Sequence, residues 1–267
     1  MDHVKWLVDT GKLLTTTDGK TIRVFRFNHQ PDEKILSAWA KHFREHYCSD
    51  IEIDDLRKGY GLSRADYLTN IKFPDIKNAP GPSIRSGDFG EILVADYLEY
   101  SLNFWVPRVR FCDKASRNDS TKGCDIIGLK IFNKKKITSK DMLTIYEAKA
   151  KFTGSPENRL QEAVDDSGKD PRRKAESLNF IKQKLTQKGK TEQASQIERF
   201  QNPVDNPYEE SFGAAALFSA SCFDEKILSG TNTTGHPNGT RLNLIVIHGK
   251  DIMNLVHSLY KRAADEA

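Results

Sequence analysis

Thr144 to Gly154 reads TIYEAKAKFTG. It opens with the β-branched and aromatic residues of a buried strand, then sets Glu147 and Lys149 where the apolar alternation should continue. Residues two apart on a strand share a face. Leu143, Ile145, Glu147 and Lys149 therefore line one side, apolar at the start and charged at the end. Burying a lone charge is costly, so the acid and the amine either offset each other in a solvated pair of small worth or serve a metal and a phosphate. Asp125 opens the next apolar run upstream, CDIIGLKI, and comes close to Glu147 if the two strands pair across the Phe132–Asp141 connection. Glu91, in GDFGE, heads a helical stripe of Val94, Ala95, Leu98 and Leu102. Asp125 also suits a turn, and Glu91 a first helical turn favoured by the helix dipole.

Carboxylates beside a lysine are what metal-dependent phosphodiester cleavage requires. A hard cation such as Mg²⁺ takes carboxylate, water and phosphate oxygens and lowers the pKa of bound water. An amine can stabilise the charge that builds on phosphorus.

The elements that would position these groups follow from periodicity. A strand is expected over 20–28, helices over 32–48 and roughly 50–72, and a Pro/Gly-rich linker over 73–87. A helix over 88–102 leads to strands at 103–111, 124–131 and 142–151, with Lys134, Lys135 and Lys136 in a polar connection. The charged stretch from Pro156 to about Gln201 reads as helical, Asp170-Pro171 looking like a helix start. Buried strands at 213–221 and 241–249 and a closing helix at 251–263 complete a mixed sheet sandwiched by helices.

The pattern of Glu91, Asp125 and Glu147-Ala148-Lys149 resembles the PD-(D/E)xK nuclease superfamily, whose restriction-endonuclease-like core runs α-β-β-β-α-β. GDFGEILVADYLE, KGCDIIGLK and IYEAKAKFTG further resemble the nuclease subunit of the Hachiman anti-phage system, the HamA family. Cys124 stands where the superfamily's literal proline would precede Asp125, and the one Pro-Asp pair, Pro74-Asp75, lies in the linker. The resemblance implies an α/β fold with a PD-(D/E)xK nuclease domain over 81–267 and a small N-terminal α/β region with linker over 1–80, the part suggested for partner contact. It implies a Mg²⁺- or Mn²⁺-dependent deoxyribonuclease, paired with a superfamily-2 helicase as the effector of a two-component defence system. Glu91, Asp125 and Glu147 would hold metal, with the Ala148 carbonyl as an additional ligand and Lys149 on the attacking water or scissile phosphate. Gln161, on the helix after the third strand, matches a glutamine that some relatives use to orient the site. The alternative is a nuclease-like module that binds DNA or regulates a helicase without cutting.

Basic residues supply candidate phosphate contacts. Arg108, Arg110, Lys114, Arg117 and Lys122 flank the acids, Lys151 follows them, and Pro171–Lys190 carries seven Lys/Arg, Arg172 and Arg173 among them, against one Glu. Such a run tracks a DNA backbone or forms a solvated helix face. His42 and His46 share a helix face, but Phe43 stands where a zinc-protease helix needs glutamate, and no third ligand is visible.

The bulk numbers agree with this reading without demanding it. With 267 residues, 37% hydrophobic and 29% charged, the chain is long enough for a substantial core, and a net charge of +4 permits a polyanionic partner. No apolar run is long enough for a membrane helix, and the start, MDHVKWLVDTGK, lacks a signal-peptide pattern. Cys48, Cys112, Cys124 and Cys222 are scattered with no C-x-x-C, which fits reduced thiols and a cytoplasmic location.

Overall fold

The computed structural model describes residues 1–133 and 136–267; Lys134 and Lys135 lie outside the described residues. Six strands, β1 (Leu7–Thr15), β2 (Thr21–Phe27), β3 (Ile126–Lys130), β4 (Met142–Lys151), β5 (Glu209–Ser219) and β6 (Leu242–Gly249), form one sheet ordered β1-β2-β6-β5-β4-β3. The central pairs β2–β6, β6–β5 and β5–β4 are parallel, and the outer pairs β1–β2 and β3–β4 antiparallel. Parallel strands need both faces covered, which explains the unbroken apolar runs of β5 and β6.

Helices supply the cover. On one face α1 (Glu33–Glu45), α4 (Gly81–Asp96) and α9 (Ile252–Asp265) pack Trp39, Phe43, Phe89, Val94 and Tyr260 against Phe27, Ala148 and Ile247. On the other, α5 (Arg159–Ser167), α6 (Asp170–Gln187) and α7 (Thr191–Glu198) pack Leu160, Leu178, Ile181 and Ile197 against Leu143, Ile145 and Phe212. Two short helices, α2 (Ile53–Lys58) and α3 (Arg64–Tyr67), fill the expected 50–72 stretch, and α8 (Glu225–Ser229) sits between β5 and β6. The first 80 residues contribute two strands to the common sheet, where Val24 pairs with Val246, and Phe25 and Phe27 to the α4–α9 side of the core.

Three expectations need correction. The strand expected over 103–111 is a single bridge, Trp105 to Leu129, followed by irregular chain and a short turn at Phe111–Asp113. Pro107 has no N–H to give a ladder, and Asn103 adopts the left-handed region at φ 58°. The linker is shorter than 73–87, because α4 starts at Gly81 with Pro82 in its first turn, a place where a missing N–H costs nothing. β1 was not anticipated. It is an edge strand, exposed along most of its length, with an irregularity between Asp9 and Leu13, so no alternation marks it.

Candidate metal and phosphate site

β4 carries the alternation expected of it. Leu143 and Ile145 enter the α5–α6 side of the core, and further along the same face Glu147 is buried at 2% exposure while Lys149 is partly open. Ala214 lies beside Glu147 and Ala216 beside Lys149 on β5, so methyl groups leave room for the longer side chains. Lys149 Nζ is 3.6 Å from Glu147 Oε2 and 2.6 Å from Asp166 Oδ2 of α5. Burial works to lower the lysine's pKa, but Asp166 and the other acids outweigh it and hold the ammonium charged.

The β3–β4 register supplies the second acid. Ile126 pairs with Tyr146, so Asp125, one residue before β3, stands beyond the last rung beside Glu147. Asp125 Oδ2 accepts a hydrogen bond from the Ala148 N–H at 3.2 Å. The N–H and C=O of one strand residue point to the same side, so the Ala148 carbonyl also faces the open space past the end of β3. Glu91 arrives from α4. Arg110 joins the two acids, with Nη1 3.5 Å from Glu91 Oε2 and Nη2 3.3 Å from Asp125 Oδ1. Burial, then the Asp125 charge, push the Glu91 carboxyl well above its ordinary range. Glu147 is pushed the same way by the same causes.

These residues fit a hard divalent cation. Their donors are carboxylate oxygens, and Glu91 Oε2 is buried without a hydrogen-bond partner. Asp125, Glu147 and the Ala148 carbonyl are the groups that could hold the ion, with Glu91 close behind. Arg110 supplies compensating positive charge between two of the acids.

A family model, HamA, matches residues 1–263 of the 267. The chain belongs to the HamA family. That membership agrees with the Hachiman anti-phage resemblance carried by GDFGE, GCD and YEAK. Comparison with curated proteins gives no match.

In this HamA-family chain most of the basic candidates are engaged internally. Arg108 donates to Asp96 at 2.8 Å and to Glu99 at 2.6 Å. Arg110 is tied to Thr121 and the Cys124 carbonyl as well as to the acids. Lys114 is buried against both oxygens of Asp88, at 2.8 and 2.6 Å. Arg117 holds Asp75 and the Thr69 carbonyl, and Lys151 holds Glu157. Lys122 and Arg172 are exposed, and Arg173 reaches Glu147 at 3.5 Å. Gln161 is bonded to Asp165 and to the backbone of Asn232 rather than to the acids. Asp75 itself makes a tight turn, accepting from the N–H groups of Lys77 and Asn78.

Two acids that were not among the candidate site residues lie beside these groups. Asp166 grips Lys149 from α5. Asp170 does not cap α6; Lys169 occupies that place, and the Asp170 side chain turns inward beside the Glu147 carboxyl. Its place directly before Pro171 gives no hint of this, because Asp-Pro is an ordinary helix start.

The histidine pair also gains a neighbour. Asp96 Oδ1 lies 2.9 Å from His42 Nε2, and His46 Nε2 lies 3.4 Å from the same nitrogen, a grouping able to hold a metal. Arg108 donates to that same Asp96 oxygen and stands 3.5 Å from His46 Nε2. A fixed guanidinium already balances the carboxylate there.

Proposed function

We propose that this chain is the metal-dependent DNA nuclease of a two-component Hachiman defence system, hydrolysing phosphodiester bonds with Mg²⁺ or Mn²⁺ alongside a superfamily-2 helicase. One observation carries the reading. Asp125 is bonded to the Ala148 N–H beside Glu147, and Lys149 stands 3.6 Å from Glu147, so acids and an amine from separate elements meet at one strand end. HamA-family membership supports the defence context.

In this reading Asp125, Glu147 and the Ala148 carbonyl hold the cation, with Glu91 supporting it. When bound, the ion would lower the pKa of a water and neutralise phosphate charge. Lys149, kept charged by Asp166, orients the attacking water or the scissile phosphate. Exposed Lys122 and Arg172 face the DNA backbone, which makes binding weaken as salt rises. None of the described helices is long and apolar enough to cross a membrane.

The test is nicking of supercoiled plasmid by the chain with its helicase, in Mg²⁺ or Mn²⁺ and in chelator. Glu147→Gln and Lys149→Ala are expected to lower the rate about a hundredfold or more while circular dichroism stays unchanged. Wild-type rates in both variants would overturn the site. One observation favours a non-cleaving module: Arg110 rests between Glu91 and Asp125. Absence of cutting by wild type even with the helicase would support that second reading.

A further inference from the structure

We infer that Asp170 is a further cation-ligating residue, sharing a divalent ion with Glu147 on the α6 side of β4. The inference rests on the nuclease reading of Glu147 and extends it to a residue that reading does not use.

Asp170 has no exposed surface, and neither of its carboxylate oxygens has a hydrogen-bond partner among the described residues. Its neighbours are the Glu147 carboxyl and the Cys124 thiol, and the nearest cation, Arg173 Nη1, is 3.9 Å away. Arg173 is itself partly open and 3.5 Å from Glu147 Oε1, so it serves two acids weakly. A buried carboxylate with only a thiol and a second acid beside it is expensive, and a proton, a water or an ion is what accounts for such a group. Two facing carboxylates, one of them already in the cation site, offer oxygen ligands from two elements. Glu147 turns Oε2 toward Lys149 and Oε1 toward Arg173, whose Nη1 is also within 3.9 Å of Asp170 Oδ1.

The full chain, its Asp170→Asn, Glu147→Gln and Asp125→Asn variants, and Mn²⁺ alone as the probe make the test. Binding is read by loss of the free Mn²⁺ electron-spin-resonance signal, and folding by thermal midpoint in chelator. Asp170→Asn is isosteric with the protonated acid, and Asp170→Ser serves as a smaller replacement if the amide does not fit. The expected result is that the Asp170 variants bind Mn²⁺ about tenfold more weakly or worse, or lose a bound ion. Their midpoint in chelator should equal or exceed wild type, and the rise in midpoint that Mn²⁺ gives wild type should disappear. Wild-type Mn²⁺ affinity and stoichiometry in Asp170→Asn would overturn the inference and assign the pair a shared proton. If that outcome accompanies lost binding in Glu147→Gln and Asp125→Asn, the nuclease reading survives. If wild type binds no Mn²⁺, both fall.

Discussion

Glu147 is nearly solvent-free yet faces two other acids, Asp125 and Asp170. Lys149, Arg173 and Arg110 surround this group without fully pairing it, an arrangement found both at functional sites and in structural ion networks. The backbone beside it is equally constrained. A Cβ on Gly213 would stand 2.2 Å from the Tyr146 ring. Gly213→Ala is therefore expected to cost about 1–3 kcal/mol, read by urea unfolding, and an unchanged midpoint would show that the Tyr146 ring moves aside freely. Sequence spacing located Glu91, Asp125, Glu147 and Lys149 because strand and helix periods place them on definable faces. Asp170 and Asp166 escaped it. Their approach to β4 depends on how α5 and α6 lie across the sheet, and local pattern does not encode that. Arg108, Lys114 and Arg117 looked like phosphate contacts because charge marks composition, not direction; Asp96, Asp88 and Asp75 draw them inward.

At the scale of elements, the hairpin of β3 and β4 fixes the site, and a buried ion pair locks its far end. Asp141, with no exposed surface, accepts from Arg199 Nε at 3.0 Å and Nη2 at 2.9 Å and from the Phe132 N–H at 3.0 Å. Arg199 also donates to the Thr138, Asn206 and Pro207 carbonyls. Asp141→Ala leaves that guanidinium buried without its carboxylate, a loss of about 3 kcal/mol measurable by denaturant titration; stability unchanged within error would contradict this account of the hairpin. Elements with a strong period, such as β4, β6 and α9, were legible from residue order alone. The 103–111 segment carried strand-forming residues but Pro107 breaks its ladder, and β1 carried no alternation because an edge strand buries little.

The whole molecule joins its N-terminal residues to α1 and α4 through a buried histidine cluster. His3 stacks on Trp39 at 4.3 Å and bonds Asp96, which also takes His42 and Arg108. Burial, then the Arg108 and His42 charges, hold the His46 imidazole well below its ordinary pKa, and burial does the same to His3. Unfolded histidines take up protons near pH 6.5, whereas the folded ones wait for lower pH. Their contribution is fully present above about pH 6.5 and declines as pH falls through the folded values. The thermal midpoint is thus expected to drop as pH falls below about 6.5, less steeply in His46→Gln than in wild type; parallel profiles would discount the cluster as the cause. The central claim, a cation site built by β3, β4 and α4, is tested most directly by a crystal grown in Mn²⁺ with data collected at the manganese edge. An anomalous peak about 2–2.5 Å from the Asp125 and Glu147 carboxylates is the expected result; no peak there, with Arg110 still resting on Glu91 and Asp125, would contradict it.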